Sequence, residues 1–363
     1  MRISVPTIPH VVSSTKTNTI TPAAAIERIA SHLASGSVTL LTGAGVSVDS
    51  GIRAYRGKDG RYMNPNYKPI FYHELVADNS KGRAFSIPHA STATPDSVTG
   101  KLRSYLGYPL VRDTQPNTTH YALAALQHTG HINHLITQNV DGLHRRAIDH
   151  LWDDARTDAR ILELHGTLHR VHCQFGHVVS RDEFQDRLSA SNPKWKAFVD
   201  ELEATGKKPR TNPDGDVELE GVSYDDFVVP ECLACLAQGR YNTNQKPELI
   251  FFGESIPQSI KERSFRDIER SDKLFLIGTT LATFSAYRLV KHALELKKPV
   301  LLLNVGPTRA DGLEGIDKIE IATSRVMRDV VRAVLGRRAS IDPVIVSLLN
   351  NGIHRPPLDD NDG

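Results

Sequence analysis

Three short stretches of this 363-residue chain carry groups suited to holding a phosphorylated ligand and moving a proton. The first is Gly43-Ala44-Gly45-Val46-Ser47, with Ser50-Gly51-Ile52 just beyond it. Glycines placed after a strand and before a helix let backbone N–H groups approach a pyrophosphate closely. The spacing departs from G-x-G-x-x-G, and no acidic residue stands about 20 positions on to clamp a ribose. The alternative is a tight structural turn that binds nothing. The second stretch is Thr137-Gln138-Asn139-Val140-Asp141-Gly142-Leu143-His144. Its polar groups are costly after a buried strand unless they find partners. They fit either a ligand at the strand end or a polar loop with helix caps, and His144 alone reads as structural. The third is Glu163-Leu164-His165-Gly166. Histidine moves protons near neutral pH and makes a good general base. With 16 histidines in the chain, residue type alone selects none of them.

The cysteines form a separate group. There are three, Cys173, Cys232 and Cys235. An odd, small number in a chain of this length argues against a disulfide framework and for a reducing compartment. Cys232-Leu233-Ala234-Cys235 has the spacing of half a structural zinc site.

These groups need elements to position them. Short apolar runs at 37–41, 131–137, 160–164, 248–252, 273–277 and 299–303 show little alternation. That is the pattern of strands buried on both faces, as in a parallel sheet. Thr21-Pro22 supplies a cap and a first-turn proline for a helix over 23–33. Further helices are expected over 117–128, 258–269, 285–296 and 325–335. Strands alternating with helices predict an α/β fold with a doubly wound parallel sheet of Rossmann type. The chemical motifs then fall at strand ends. Two stretches break the rhythm. Residues 58–112 lack periodicity, and 169–245 hold the cysteines, a charged helix-like run over 181–202 and a turn at Asn212-Pro213-Asp214-Gly215. The expected organisation is a flexible tail or transit segment at 1–20, and a sheet domain of 21–57, 113–168 and 246–340. A small helical domain follows from two insertions, 58–112 and 169–245, and a C-terminal tail covers 341–363.

Composition narrows the function. The 44 basic and 42 acidic residues give a net charge of +2, which offers no electrostatic case for nucleic acid. No apolar run reaches membrane-spanning length. The first acidic residue is Glu27, and the segment before it is rich in Ser and Thr. Such a segment suits a mitochondrial transit peptide or an unstructured tail.

Taken together, GAGVSVDSGI, TQNVDGLH, ELHG, KPELIFFGE, GTTL and LNVGPTRAD resemble the sirtuin family in order and approximate spacing. The resemblance runs from about Ser37 to Asp311 and is weakest in 58–112 and 169–210. It implies a Rossmann-type NAD domain, a small zinc-bearing domain, and an acyl-lysine threading the cleft between them. The implied activity is NAD-dependent protein-lysine deacylation, releasing nicotinamide and O-acyl-ADP-ribose. His165 would be the catalytic base, with Asn139 beside it. Gly43, Ala44, Gly45, Ser47, Tyr55, Arg56, Gln138, Asn139 and Asp141 would bind NAD, the glycine-loop amides holding phosphate. Gly278, Thr279, Thr280, Asn304, Val305 and Gly306 would take its adenosine side. Phe252, Gly253 and Glu254 would pair with the substrate peptide as an added strand. A monomer acting on acylated proteins in the mitochondrial matrix is expected, with cytoplasm or nucleus the alternative compartments. Mono-ADP-ribosylation at the same site is the alternative activity, and a non-catalytic NAD or acyl-lysine binding module the alternative class.

Two departures from the family pattern bear on this reading. Arg53-Ala54-Tyr55-Arg56 stands where the family has Pro-Asp-Phe/Tyr-Arg. The family's second pair of zinc cysteines is reduced to Cys173, with Gly176 in the other position. His177 would complete a Cys₃His site, Asp182 and Glu183 being the other candidates and a metal-free fold the remaining one. Asn212-Pro213-Asp214-Gly215 through Glu220, Pro230-Glu231-Cys232 and the LNVGPTRAD segment resemble the class II, mitochondrial lipoamidase/ADP-ribosyltransferase subgroup. Residues 86–101 read as a flexible insertion poor in aromatics, so the acyl-chain preference does not carry over.

Overall fold

A computed structural model of the chain describes residues 20–55, 60, 72, 95–205 and 226–353, with only the backbone given for 95–100. The described chain forms two compact units. The larger takes 20–55, 60, 114–165 and 256–353; the smaller takes 72, 95–113, 166–205 and 226–255. No helix among the described residues is long and apolar enough to cross a membrane.

Six parallel strands form the sheet of the larger unit. Numbered along the chain, they are β1 (Val38–Thr42), β2 (His134–Thr137), β3 (Ile161–Glu163), β7 (Lys273–Ile277), β8 (Val300–Leu303) and β9 (Ile316–Ile319). Their order is β3-β2-β1-β7-β8-β9, so the chain winds outward from β1 in one direction and then, through β7, in the other. This is the doubly wound order of a Rossmann-type sheet. The strands read as unbroken apolar runs because both faces are covered. Val38, Leu40, Phe275, Ile277, Leu301 and Leu303 pack into one core, and Leu41, Leu274, Leu276, Val300 and Leu302 into the other. Helices Pro22–Leu33, Thr118–His128, Met327–Leu335 and Pro343–Asn350 cover the first face. Helices Gln258–Glu269 and Phe284–Glu295 cover the second. Thr21 caps the first helix and Pro22 opens it.

The smaller unit holds a three-stranded antiparallel sheet of order β5-β4-β6: β4 (Gly166–Cys173), β5 (Val178–Ser180) and β6 (Gln245–Leu249). Its core gathers Leu102, Tyr105, Leu106, Val171, Phe184, Leu188, Trp195, Phe227 and Val229.

Four expectations are corrected. The strand expected at 248–252 is β6, shifted to Gln245–Leu249 and paired antiparallel to β4 rather than placed in the parallel sheet. Pro247 lacks an N–H, which suits an edge strand, and β6 is one. Residues 246–255 therefore belong to the smaller unit. The insertion at 86–101 ends in order, since a helix runs over Pro95–Asp113. The charged run over 181–202 is two helices, Arg181–Ser191 and Pro193–Thr205, broken at Asn192 by the proline that follows. The stretch from 341, expected as a tail, forms Pro343–Asn350, capped by Asp342 and burying Ile345, Leu348 and Leu349. Residues 1–19, most of 56–94 and the turn at 212–215 lie outside the described residues.

Candidate active site

Strand register brings the chemical groups of the larger unit to one edge. Thr42 pairs with Thr137 on one side and Ile277 on the other. Thr137 pairs with Glu163, and Ile277 with Leu303. The residues that follow these strand ends, namely Gly43, Gln138, His165, Gly278 and Asn304, emerge side by side. This is the carboxyl edge of the sheet. Strand order reverses between β1 and β7, which is where open α/β sheets bind ligands.

Close packing explains the glycines at that reversal. The Gly43 N–H donates to the Ile277 carbonyl (3.1 Å) and the Gly45 N–H to the Gly278 carbonyl (2.9 Å). A Cβ on Gly43 would lie 2.8 Å from the Gly278 oxygen, and one on Gly45 2.9 Å from the Gly278 Cα. Gly278 has φ +59°, and a Cβ there would meet the Val46 nitrogen at 2.7 Å. The two loops touch backbone to backbone. Their glycines are steric necessities first, and two of the three loop amides are engaged within the fold. These bonds engage the Gly43 and Gly45 amides, and the Ala44 N–H is not among them.

Behind the loop lies a buried polar network. Ser47 donates from Oγ to Asp141 Oδ2 (2.7 Å), and Asn139 Nδ2 donates to Ser47 Oγ (3.1 Å) and the Gly43 carbonyl (3.2 Å). Asp141 Oδ1 accepts from the Leu143 N–H (3.0 Å). His120 Nδ1 accepts from the Asn117 N–H, so its Nε2 faces Ser47 Oγ as the donor (3.4 Å). Thr42 gives its hydroxyl hydrogen to Thr137, which makes His144 Nε2 the donor to Thr42 Oγ1 (3.0 Å). Burial drives the pKa of His120 well below its ordinary value, with His144 adding to the effect, and brings His144 to about 3. Both rings are neutral, and His144 is structural.

His165 is held differently. Its Nδ1 faces the Gln138 carbonyl oxygen at 3.2 Å. A carbonyl only accepts, so Nδ1 carries the hydrogen and Nε2 presents its lone pair. Burial lowers the pKa to about 4, against the opposing pull of that carbonyl. The ring is neutral at physiological pH, with a basic nitrogen exposed to a partner. Gln138 is itself fixed. Its Nε2 donates to Thr279 Oγ1 (2.8 Å) and the Thr42 carbonyl (3.1 Å), and its Oε1 accepts from Thr283 Oγ1 (3.1 Å). Ser285 Oγ lies 2.8 Å from His165 Nε2. Sequence reasoning passed over Thr283 and Ser285. The signal for them was two hydroxyls, spaced by two, just beyond GTTL at a helix start.

Thr279 is buried and Thr280 gives its carbonyl to the Arg309 N–H. Asn304 closes a turn onto the Val305 carbonyl, Val305 is exposed, and Gly306 has φ +82°. Tyr55 sits in a bend, and Arg56 lies outside the described residues.

In the smaller unit, Phe252-Gly253-Glu254 forms a turn in which the Glu254 N–H returns to the Phe251 carbonyl. The Glu254 carboxylate points into the fold, onto Lys246 Nζ (2.9 Å) and the Phe251 N–H (3.0 Å). The Phe252 carbonyl accepts from the Tyr72 N–H.

The same unit gathers all three cysteines with His177. His177 Nδ1 lies 3.5 Å from Cys173 Sγ, 3.7 Å from Cys232 Sγ and 3.3 Å from Cys235 Sγ, and Cys173 and Cys235 are 3.8 Å apart. A tetrahedral zinc with bonds of about 2.3 Å to sulfur and about 2.0 Å to nitrogen needs donor separations of about 3.5–3.8 Å. The donor set fits that ion. Asp182 instead accepts from the Tyr108 hydroxyl, and neither it nor Glu183 is in the cluster.

Comparisons with known proteins place the chain in a family. The Sir2 family model matches residues 43–285. NAD-dependent protein deacylase SIR4 of Batrachochytrium dendrobatidis is 38% identical over 304 residues, taking in 82% of this chain and 90% of that protein. A protein of the same name from Monosiga brevicollis is 38% identical over 277 residues, 76% of this chain and 78% of its own. A solved Sir2 homologue–NAD complex superposes with a TM-score of 0.55 at 23% identity, covering 86% of this chain and 94% of that one, a likeness of fold. The family model begins at the glycine loop and ends at Ser285, the span that supplies most of the carboxyl edge, and on this evidence the chain belongs to the Sir2 family.

Proposed function

We propose that the chain is an NAD-dependent protein-lysine deacylase in which His165 is the general base. The observation that carries this is the tautomer of His165. Its Nδ1 hydrogen is committed to the Gln138 carbonyl, and its Nε2 lone pair stands at the carboxyl edge of the sheet. NAD supplies an electrophilic ribose carbon and a hydroxyl to receive the acyl group. This chain's residues do the rest. His165 Nε2 would take the proton of that hydroxyl, the group to which the acyl would be transferred as nicotinamide and then the lysine amine leave. Asn139, Ser47 and Asp141 form a prearranged polar wall beside it, in no need of reorganisation as charge moves. Gln138 orders the ribose and nicotinamide end. Gly278, Thr279, Thr280, Asn304, Val305 and Gly306 take the adenosine side. The substrate peptide's backbone pairs with Phe252-Gly253, while Glu254 braces that turn through Lys246. Cys173, His177, Cys232 and Cys235 hold a structural zinc.

The finer readings are a class II sirtuin resident in mitochondria. The SIR4 names of the relatives and the acid-free segment before Glu27 support them. A panel of acyl-lysine peptides with NAD tests the activity. The expected products are free lysine, nicotinamide and O-acyl-ADP-ribose; ADP-ribosylated protein would instead mark a transferase. His165→Ala is expected to lose ~10²–10⁴-fold in turnover, the usual worth of a general base, while still binding NAD. Undiminished turnover in that variant would overturn the assignment.

A further inference from the structure

Both nitrogens of His165 are held, and by one circuit. Gln138 takes Nδ1 through its carbonyl, and Ser285 Oγ reaches Nε2 at 2.8 Å. Thr283, two residues before Ser285, holds Gln138 Oε1 through its own hydroxyl (3.1 Å). Thr283 is the N-cap of helix Phe284–Glu295, but its hydroxyl caps no backbone N–H of that helix. The helix is fixed by Ala286, Leu289, Val290 and Ala293, all fully buried. One rigid helix start thus presents two hydroxyls, one to the ring and one to the residue that grips the ring's other side.

We propose that Ser285 is a positioning residue for His165, fixing its ring orientation and tautomer and accommodating it in both charge states. The proposal rests on the reading of His165 as the base. A hydroxyl both donates and accepts, which few small groups do. In the resting enzyme Ser285 donates to the Nε2 lone pair, opposite the Nδ1–H held by Gln138. An incoming ribose hydroxyl displaces that donation. When it yields its proton, its O–H bond breaks and an N–H bond forms at Nε2. The imidazolium then needs an acceptor on each side. Gln138 supplies one, and Ser285, with its hydroxyl rotated, supplies the other. The proton leaves to solvent as product departs. Alanine would remove the acceptor that Ser285 offers to Nε2–H, and would free the ring to swing about the Gln138 contact.

The test compares the full-length chain with Ser285→Ala and Ser285→Thr, using an acyl-lysine peptide and NAD. Ser285→Ala is expected to lower kcat ~10-fold, the kinetic equivalent of one hydrogen bond, with KM for NAD within about twofold of the parent. Ser285→Thr, which restores the hydroxyl on the same backbone, should recover kcat to within about threefold of the parent. A structural defect would not be repaired by a bulkier residue, nor confined to kcat. An active parent whose Ser285→Ala variant keeps its kcat, or whose Thr variant is no better than Ala, overturns the role of Ser285 alone. A parent that forms no O-acyl-ADP-ribose from any peptide overturns the deacylase reading, and this one with it.

Discussion

At Gly176 a glycine stands where the family's second zinc cysteine is expected, and it relocates a ligand rather than deleting one. Gly176 has φ +81°, and a Cβ there would meet nothing within 4 Å. What it supplies is the left-handed turn, which an L side chain adopts at a cost. Its N–H returns to the Cys173 carbonyl, and the Cys173 N–H takes the His177 carbonyl. That turn swings His177 Nδ1 into the thiol cluster one residue later than a Cys-x-x-Cys would. Imidazole and thiolate are both good zinc ligands, so the exchange keeps a closed four-ligand site. Purified protein is expected to carry about one zinc per chain. His177→Ala should lose that zinc to a mild chelator and unfold at a lower temperature, whereas His177→Cys should keep it. Metal analysis alongside thermal melting reads both. Full zinc retention in His177→Ala after chelation would place the fourth ligand elsewhere.

At the scale of elements, the contact between the β1 and β7 loops sets how narrow the reversal point can be. Gly278 contributes twice, through positive φ and through the missing Cβ. Gly278→Ala must push backbone against the Val46 nitrogen, and is expected to cost ~2–4 kcal/mol, the range of strained or overpacked positions. Denaturant unfolding should show a lower midpoint at unchanged slope, with a weaker NAD affinity because the glycine loop moves. A neutral midpoint would mean that the two loops do not close on each other. The same elements show what the sequence disclosed. β1, β7 and β8 were legible because burial on both faces writes an unbroken apolar run. β4 was not, since His169, Arg170 and His172 interrupt its buried residues without an unbroken apolar run. β6 misled because Leu249-Ile250-Phe251-Phe252 looks like a parallel core strand, although Pro247 signalled an edge. In the candidate site, the order of motifs singled out His165, Asn139 and Asp141, which lie just after the ends of β3 and β2. Ser285 was not, because 120 residues separate it from the ring it touches and a lone serine has no periodicity.

Across the whole molecule, acid response follows from histidines kept neutral. His144 and His165 have ordinary values of 6.5 and folded values of about 3 and about 4; His120 is likewise held far down, and His32 sits at about 4. In each case burial is the main cause, because charging a desolvated ring is costly. Well above pH 6.5 these rings are neutral in both folded and unfolded chains, so there they leave the folding equilibrium unaffected by pH. As pH falls below 6.5, the unfolded chain binds protons at all four positions while the folded chain refuses them. Unfolding free energy therefore declines with falling pH, in proportion to the difference in bound protons. The decline continues until the folded rings themselves titrate, near pH 4 for His165 and His32 and near pH 3 for His144. Urea unfolding at intervals from pH 8 to pH 4.5 should show stability levelling off toward pH 8 and falling with a steepening slope through about pH 6.5 and below. Removing one ring isolates its share. His144→Gln keeps a donor toward Thr42 and has no proton to take up, so its stability should fall less steeply with acid than the parent's, whatever its stability at neutral pH. Equal slopes in the two proteins would show that His144 takes up a proton in the folded state as readily as in the unfolded one, against the burial that the Thr42–His144–His120 packing imposes.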